Sequence, residues 1–170
     1  MITSYFFGDK IVSSSPDAFS LYEKSRFGEK NGKKVEYSGV EALYLVENEK
    51  MSIFSGEKEI GTDELLIKLK RRDKKIDMKF SVFSDLRKKG YIAKTALKFG
   101  AEFRVYDKGV KPGEEHAEWL LISVKENEQM KWHEFAAKSR VAHSTRKKLL
   151  LGVVDEEGDV SYYEVGWKRL

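Results

Sequence analysis

Residues 139–151 read SRVAHSTRKKLLL, and five cations (Lys138, Arg140, Arg146, Lys147 and Lys148) fall in or just before this stretch with no acid between them. An apolar run, Leu149–Leu151, follows at once. A basic segment that feeds directly into a buried strand is held rigidly, as a loose basic tail is not. Rigid placement lets a cation stabilise charge that develops on a phosphate instead of merely attracting the anion. Working outward, Leu149 to Val154 reads as a buried strand, DEEGD at 155–159 as a turn, and Val160 to Trp167 as a last strand. Upstream, residues 132–148 read as mostly helix, with Ser139 the candidate break, and Ala117 to Lys125 as a strand.

The segment YIAKTALKFGAEFRVYD is strand-like with a bend at Lys98 to Ala101, and Lys108 to Glu115 is a glycine–proline loop. The C-terminal half is therefore β-β-β-α-β-β. Before it, a helix over Ile76 to Lys89 ends at Gly90. The first 75 or so residues alternate short strands (2–7, 10–12, 34–37, 51–54, 58–60) with three helices. Ser15 followed by Pro16 starts the first helix, Ser38 caps the second, and Thr62 caps the third. Gly28 to Lys34 reads as a glycine and lysine loop. The fold class is α+β, with an N-terminal α+β domain at 1–76 and a C-terminal α/β domain at 77–170.

The 170 residues carry 41% apolar and 35% charged side chains, no cysteine, two prolines and three histidines. The apolar share supports a real core. The high charged share without a long disordered run suits a surface laced with ion pairs, as in proteins from hot environments. No disulfide framework or cysteine metal site is available. No segment is long and apolar enough to span a bilayer, and the N-terminus lacks the basic region of a signal peptide, so the expected location is cytoplasmic. A net charge of +4 is compatible with nucleic acid. Its distribution is more telling. Lys68 to Lys75 carries six cations and one acid, whereas DEEGD carries four acids in five positions. Such a pair of opposite clusters could serve self-association.

Three histidines without paired spacing make a poor zinc site, and no phosphate loop or Gly-x-Ser-x-Gly elbow is present. The loop YDKGVKPGEEH ends one strand at Tyr106 and returns at His116, so a hairpin-like return makes these two plausible neighbours although they are ten positions apart. Arg104 shares a face with Tyr106. Taken alone, such a tyrosine is as well read as packing and such a histidine as surface. If 140–148 were helical throughout, Arg140, His143 and Lys147 would share one face, either as a phosphate ridge or as exposed charge.

FRVYDKGVKPGEEH (103–116), followed by SRVAHSTRKKLLLGVVDEEGDVSYYEV (139–165), resembles the catalytic half of the archaeal tRNA-splicing endonucleases. The resemblance extends upstream through DLRKKGYIAKTALKFGAEFRVY and, more weakly, into SGVEALYLVE. It implies an N-terminal α+β domain followed by a mixed-sheet domain resembling the restriction-endonuclease core. It also implies cleavage of precursor tRNA at a bulge–helix–bulge, without metal or cofactor, leaving 2′,3′-cyclic phosphate and 5′-hydroxyl ends. The implied catalytic residues are Tyr106 in FRVY, His116 at the loop's end, and Lys147, the first lysine after the arginine of RKK. Arg140 matches the family's base clamp, with Trp167 the candidate stacking partner and Tyr162 its competitor. Asp155, Glu156, Glu157 and Asp159 match an acidic loop that docks into a neighbouring subunit, and the implied assembly is a homotetramer.

That chemistry needs a base at the 2′-hydroxyl, an acid at the leaving oxygen and a cation at the phosphate. An imidazole, with an ordinary pKa of about 6.5, suits the acid. A phenol, ordinarily near 10, suits the base less easily unless cations lie close. The competing reading is a non-catalytic RNA-binding or scaffold subunit, which should have lost part of the triad. A restriction-type DNA nuclease is disfavoured by the missing carboxylate cluster.

Overall fold

Two six- and five-stranded mixed sheets carry the fold. The computed structural model describes all residues, Met1–Leu170, and divides into two units, Met1–Phe80 and Ser81–Leu170.

The first unit begins with β1 (Ile2–Phe7) and β2 (Lys10–Ser13), then α1 (Pro16–Ser25). Ser15 caps α1, its side chain accepting from the Ala18 amide, and Pro16 occupies the first turn, where a missing N–H costs nothing. The glycine–lysine loop contains a strand that its polarity concealed, β3 (Glu29–Asn31), paired with β4 (Lys34–Tyr37). After α2 (Gly39–Glu47) come β5 (Met51–Ser55), β6 (Lys58–Ile60) and α3 (Thr62–Lys70). The N-cap of α3 is Gly61, one residue before the expected Thr62, which is already helical. The sheet order is β3-β4-β2-β1-β5-β6, antiparallel except for β1 beside β5.

Glu41 is the buried charge of this unit, 4% exposed in the first turn of α2. One carboxylate oxygen accepts from the buried Gly28 amide at 2.9 Å, and the other from the Ser38 amide at 3.0 Å and hydroxyl at 2.8 Å. Gly28 cannot be replaced cheaply: its φ is +77°, and a Cβ there would lie 2.4 Å from Val35 Cγ1. The carboxylate thus ties the chain after α1 to the start of α2. The basic run after α3 is partly absorbed locally. Lys70 pairs with Asp77, Lys79 with Asp73, and Arg72 donates to the Gly8 carbonyl while lying with Lys68 over the Phe6 ring.

The helix α4 (Ile76–Lys88) leads into the second unit. There β7 (Ile92–Ala96), a single 3-10 turn (Leu97–Phe99), β8 (Ala101–Tyr106) and β9 (Trp119–Lys125) form an antiparallel meander. α5 (Trp132–Ser144) then crosses over to β10 (Lys148–Val154), which lies parallel to β9, and β11 (Val160–Val165) closes the order β11-β10-β9-β8-β7. The β-β-β-α-β-β pattern read from the sequence is the observed one. Ser139 does not break α5; it is a buried residue within it.

Period-two alternation gives the sheet two apolar faces. On one, Phe83 of α4 packs on Phe103 with ring centroids 5.8 Å apart, and Gly152 leaves room for Val82, which would stand 3.3 Å from an added Cβ. On the other, Ala142 of α5 joins Leu120, Ile122, Leu149, Ala96 and Ala101.

Replacing Glu41 by alanine removes the cap and leaves the buried Gly28 amide unpaired, so it should cost about 2–3 kcal/mol, against a smaller loss for Glu41→Gln. Urea unfolding followed by circular dichroism measures both.

Candidate active site

Tyr106 is the last residue of β8 and is 6% exposed. The β8–β9 ladder continues to the Glu118 amide, which donates to the Val105 carbonyl at 2.9 Å, so the chain returning from the loop arrives beside Tyr106. The loop is folded on itself. Val110 N–H donates to the Asp107 carbonyl, Glu114 N–H to the Lys111 carbonyl, and Pro112 bridges to Glu115. His116 therefore emerges, exposed, on the rim of the cleft in which Tyr106 lies. One pocket of about 410 Å³ is lined by Tyr106, His116, Lys147, Arg104 and Phe99, with Gly113 to Glu115 along its edge.

Lys147 reaches this pocket because of how α5 ends. The helix closes with the Arg146 amide on the His143 carbonyl (3.0 Å) and the Lys147 amide on the Ala142 carbonyl (2.8 Å), a Schellman arrangement. Arg146 takes the left-handed conformation that this closure demands, φ +58°, at a position glycine usually fills. The helix stops at Ser144, so Lys147 leaves the Arg140–His143 face on which uninterrupted helical spacing would have put it. Its Nζ donates to the Thr145 carbonyl at 3.1 Å and lies 5.9 Å from the Phe99 ring centroid. The very next residue is committed elsewhere. Lys148 opens β10 and pairs with Glu118 at 3.2 Å and Glu164 at 3.6 Å. The Glu118 hydrogen bond, with the Glu164 charge behind it, holds the Lys148 ammonium above its ordinary pKa. Of the two adjacent lysines, Lys147 faces the Tyr106–His116 pocket and Lys148 is ion-paired.

Phe99 is a pocket residue that the sequence reading passed over as part of a bend. It sits on the 3-10 turn, which Lys138 of α5 fastens by donating to the Gly100 carbonyl at 3.2 Å. In the sequence only its aromatic ring within a polar bend, KFG, marked it.

Arg140 is exposed on α5 and makes no ring contact with Trp167. Trp167, 46% exposed, instead meets His143, one turn further along the same helix, at 4.3 Å between ring centroids. Tyr162, the competing stacking candidate, is held elsewhere. Its hydroxyl donates to Asp85 of α4 at 2.7 Å and Lys89 covers its ring, and burial together with the Asp85 acceptor pushes its pKa well up.

The four acids of the β10–β11 turn are not equivalent. Asp155 builds the turn, one carboxylate oxygen accepting from the Glu157 and Asp159 amides at 2.9 Å each. Glu156, Glu157 and Asp159 are exposed, and Glu126 joins them by accepting from the Glu156 amide at 3.3 Å. No group of three or more His, Cys, Asp or Glu side chains is placed to hold a metal ion, and no helix is long and apolar enough to cross a membrane.

Both halves of the chain match known domains. Residues 76–162 match the tRNA intron endonuclease catalytic C-terminal domain, and residues 2–66 match the tRNA intron endonuclease N-terminal domain. The chain belongs to the tRNA intron endonuclease family. It is 39% identical over 170 residues to the tRNA-splicing endonuclease of Pyrococcus furiosus, covering 99% of this chain and 98% of that one. Identity to the tRNA-splicing endonuclease of Thermococcus kodakarensis is 40% over 170 residues, 99% of each chain. To that of Methanothermobacter thermautotrophicus it is 36% over 164 residues, 95% of each. The likeness to archaeal tRNA-splicing endonucleases read from FRVY, the GEEH loop and RKK thus extends over the whole length of the chain.

Proposed function

We propose that this tRNA intron endonuclease family member excises introns from precursor tRNA by cutting both strands of a bulge–helix–bulge, using Tyr106, His116 and Lys147. The observation that carries this reading is the convergence of these three side chains, from three separate sequence segments, on one pocket.

The reaction is an internal transesterification. The ribose 2′-oxygen attacks its own 3′-phosphorus, the bond from phosphorus to the 5′-oxygen breaks, and the products are a 2′,3′-cyclic phosphate and a 5′-hydroxyl. The nucleophile belongs to the substrate, so the protein's task is proton transfer and charge stabilisation. Tyr106, acting as its phenolate in a pocket it shares with Lys147 and Arg104, takes the 2′-hydroxyl proton and becomes the neutral phenol; its buried ring keeps the oxygen in place. His116, exposed on the rim, gives a proton to the leaving 5′-oxygen. The Lys147 ammonium lies against the negative charge that builds on the phosphate. Arg140 holds a bulge base, and the Trp167 ring supplies a stacking surface near it. A scaffold role is disfavoured because all three groups are present in one pocket.

One chain carries one such triad, whereas the substrate is cut twice, so the working form is an assembly. A homotetramer fits, with the acidic turn of one subunit entering a basic surface of another. Glu156, Glu157 and Asp159 supply the docking charge, and Asp155 holds the turn in shape.

Incubating the pure protein with a bulge–helix–bulge RNA in EDTA should give cyclic phosphate and 5′-hydroxyl ends on both strands; no cutting, or 3′-hydroxyl ends, contradicts the reading. His116→Ala and Tyr106→Phe should each lower the single-turnover rate by about 100- to 10,000-fold. A clearly smaller loss for Tyr106→Phe would make it an orienting group instead of a base. For the assembly, light scattering at rising salt should show dissociation. The double change Glu156→Lys with Glu157→Lys should lower the mass even at low salt, whereas Asp155→Ala should chiefly lower the melting temperature. A mass indifferent to both salt and charge reversal contradicts the docking.

A further inference from the structure

Beyond the Tyr106–His116 pocket lies a second depression, of about 520 Å³, bordered by Glu118, His143, Ser144, Arg146, Lys147 and Lys148. We propose that it is a nucleoside subsite for a base flanking the cut phosphate, and that Glu118 reads an exocyclic amino group on that base. The proposal rests on the endonuclease reading above and adds a base preference to it.

Three observations carry it. Lys147 borders both depressions, so a phosphate held at its ammonium has this second space immediately beside it. The walls suit a base. His143 offers a ring already fixed by Trp167 at 4.3 Å, and aromatic faces stack bases of any sequence. The sign of the charge is unusual for an RNA contact, because a carboxylate stands among the cations. Glu118 is fixed there by Lys148 at 3.2 Å, and Lys148 is in turn shared with Glu164, which also accepts from the Trp119 indole at 2.8 Å. A carboxylate beside a nucleic acid repels phosphate but accepts well from a base amino group, so it rewards one kind of base and penalises the rest.

The test uses the full-length wild-type protein and a bulge–helix–bulge RNA made uncleavable by a 2′-deoxy sugar at each attacking nucleotide. Adenine is compared with purine, which lacks the amino group, at each position flanking the cut phosphate in turn. Adenine should bind about tenfold more tightly than purine at one of the two positions. Glu118→Leu, which keeps the bulk and removes the acceptor, should shrink that ratio towards one. His143→Ala should weaken both bases alike, by about 5- to 100-fold, and leave an abasic RNA unaffected. The wild-type comparison requires no folded variant, so it decides the matter even if the substitutions disturb the Lys148 pair. Equal binding of adenine and purine at both positions overturns the subsite, as does a preference that survives Glu118→Leu. The all-ribose parent RNA is run alongside. If it is cut while the bases bind equally, only the subsite fails; if it is not cut, the endonuclease reading beneath it fails too.

Discussion

The hydrogen bond from the Lys147 amide to the Ala142 carbonyl is the constraint on which the site depends. It ends α5 in a Schellman turn, and only Thr145, Arg146 and Lys147 lie between helix and strand. Within those residues the chain must turn from the helix axis into a strand parallel to β9, and the Leu149 side chain must reach the core. Both ends of the turn are therefore anchored, one by helix hydrogen bonds and one by burial. In the proposed reaction, a lysine between such anchors would lose little further backbone freedom on meeting a phosphate, which is the sense in which the site is preorganised. The cost is a left-handed arginine at Arg146.

The other half of the site comes from alternation along β8. Phe103 and Val105 face α4 and fill the core, which leaves Arg104 and Tyr106 on the side where Lys147 arrives. A one-residue slip in register would reverse both sets, so the core that stabilises the sheet also aims the phenol. The loop after Tyr106 then needs only to return in ladder with Val105 for His116 to reach the rim.

Much of this was legible in the sequence because it follows from local rules. Ser15-Pro16 marked a helix start, the glycine–proline loop marked a return, and the apolar run after RKK marked a buried strand. What was not legible depended on contacts distant in sequence. The polar segment at Glu29 to Asn31 is a strand only because β4 offers it an edge. Thr62 looked like a cap, but Gly61 has the extended backbone that the cap position needs. No periodicity could separate Lys147 from Lys148; the difference lies in Glu118 and Glu164, which meet Lys148 across two neighbouring strands. Equally, four acids in one turn looked alike until Asp155 proved to be bonded to the backbone of its own loop. The place of Trp167 depends on His143, twenty-four residues earlier.

In the proposed reaction the turn at the end of α5 delivers Lys147, and not its neighbour, to the phosphate. The most direct measurement is the single-turnover cleavage rate of Lys147→Ala beside Lys148→Ala, at saturating RNA and with both proteins shown to be folded. Lys147→Ala should lose about 100- to 1,000-fold and Lys148→Ala less than about tenfold. Equal losses, or the larger loss at Lys148, would contradict it.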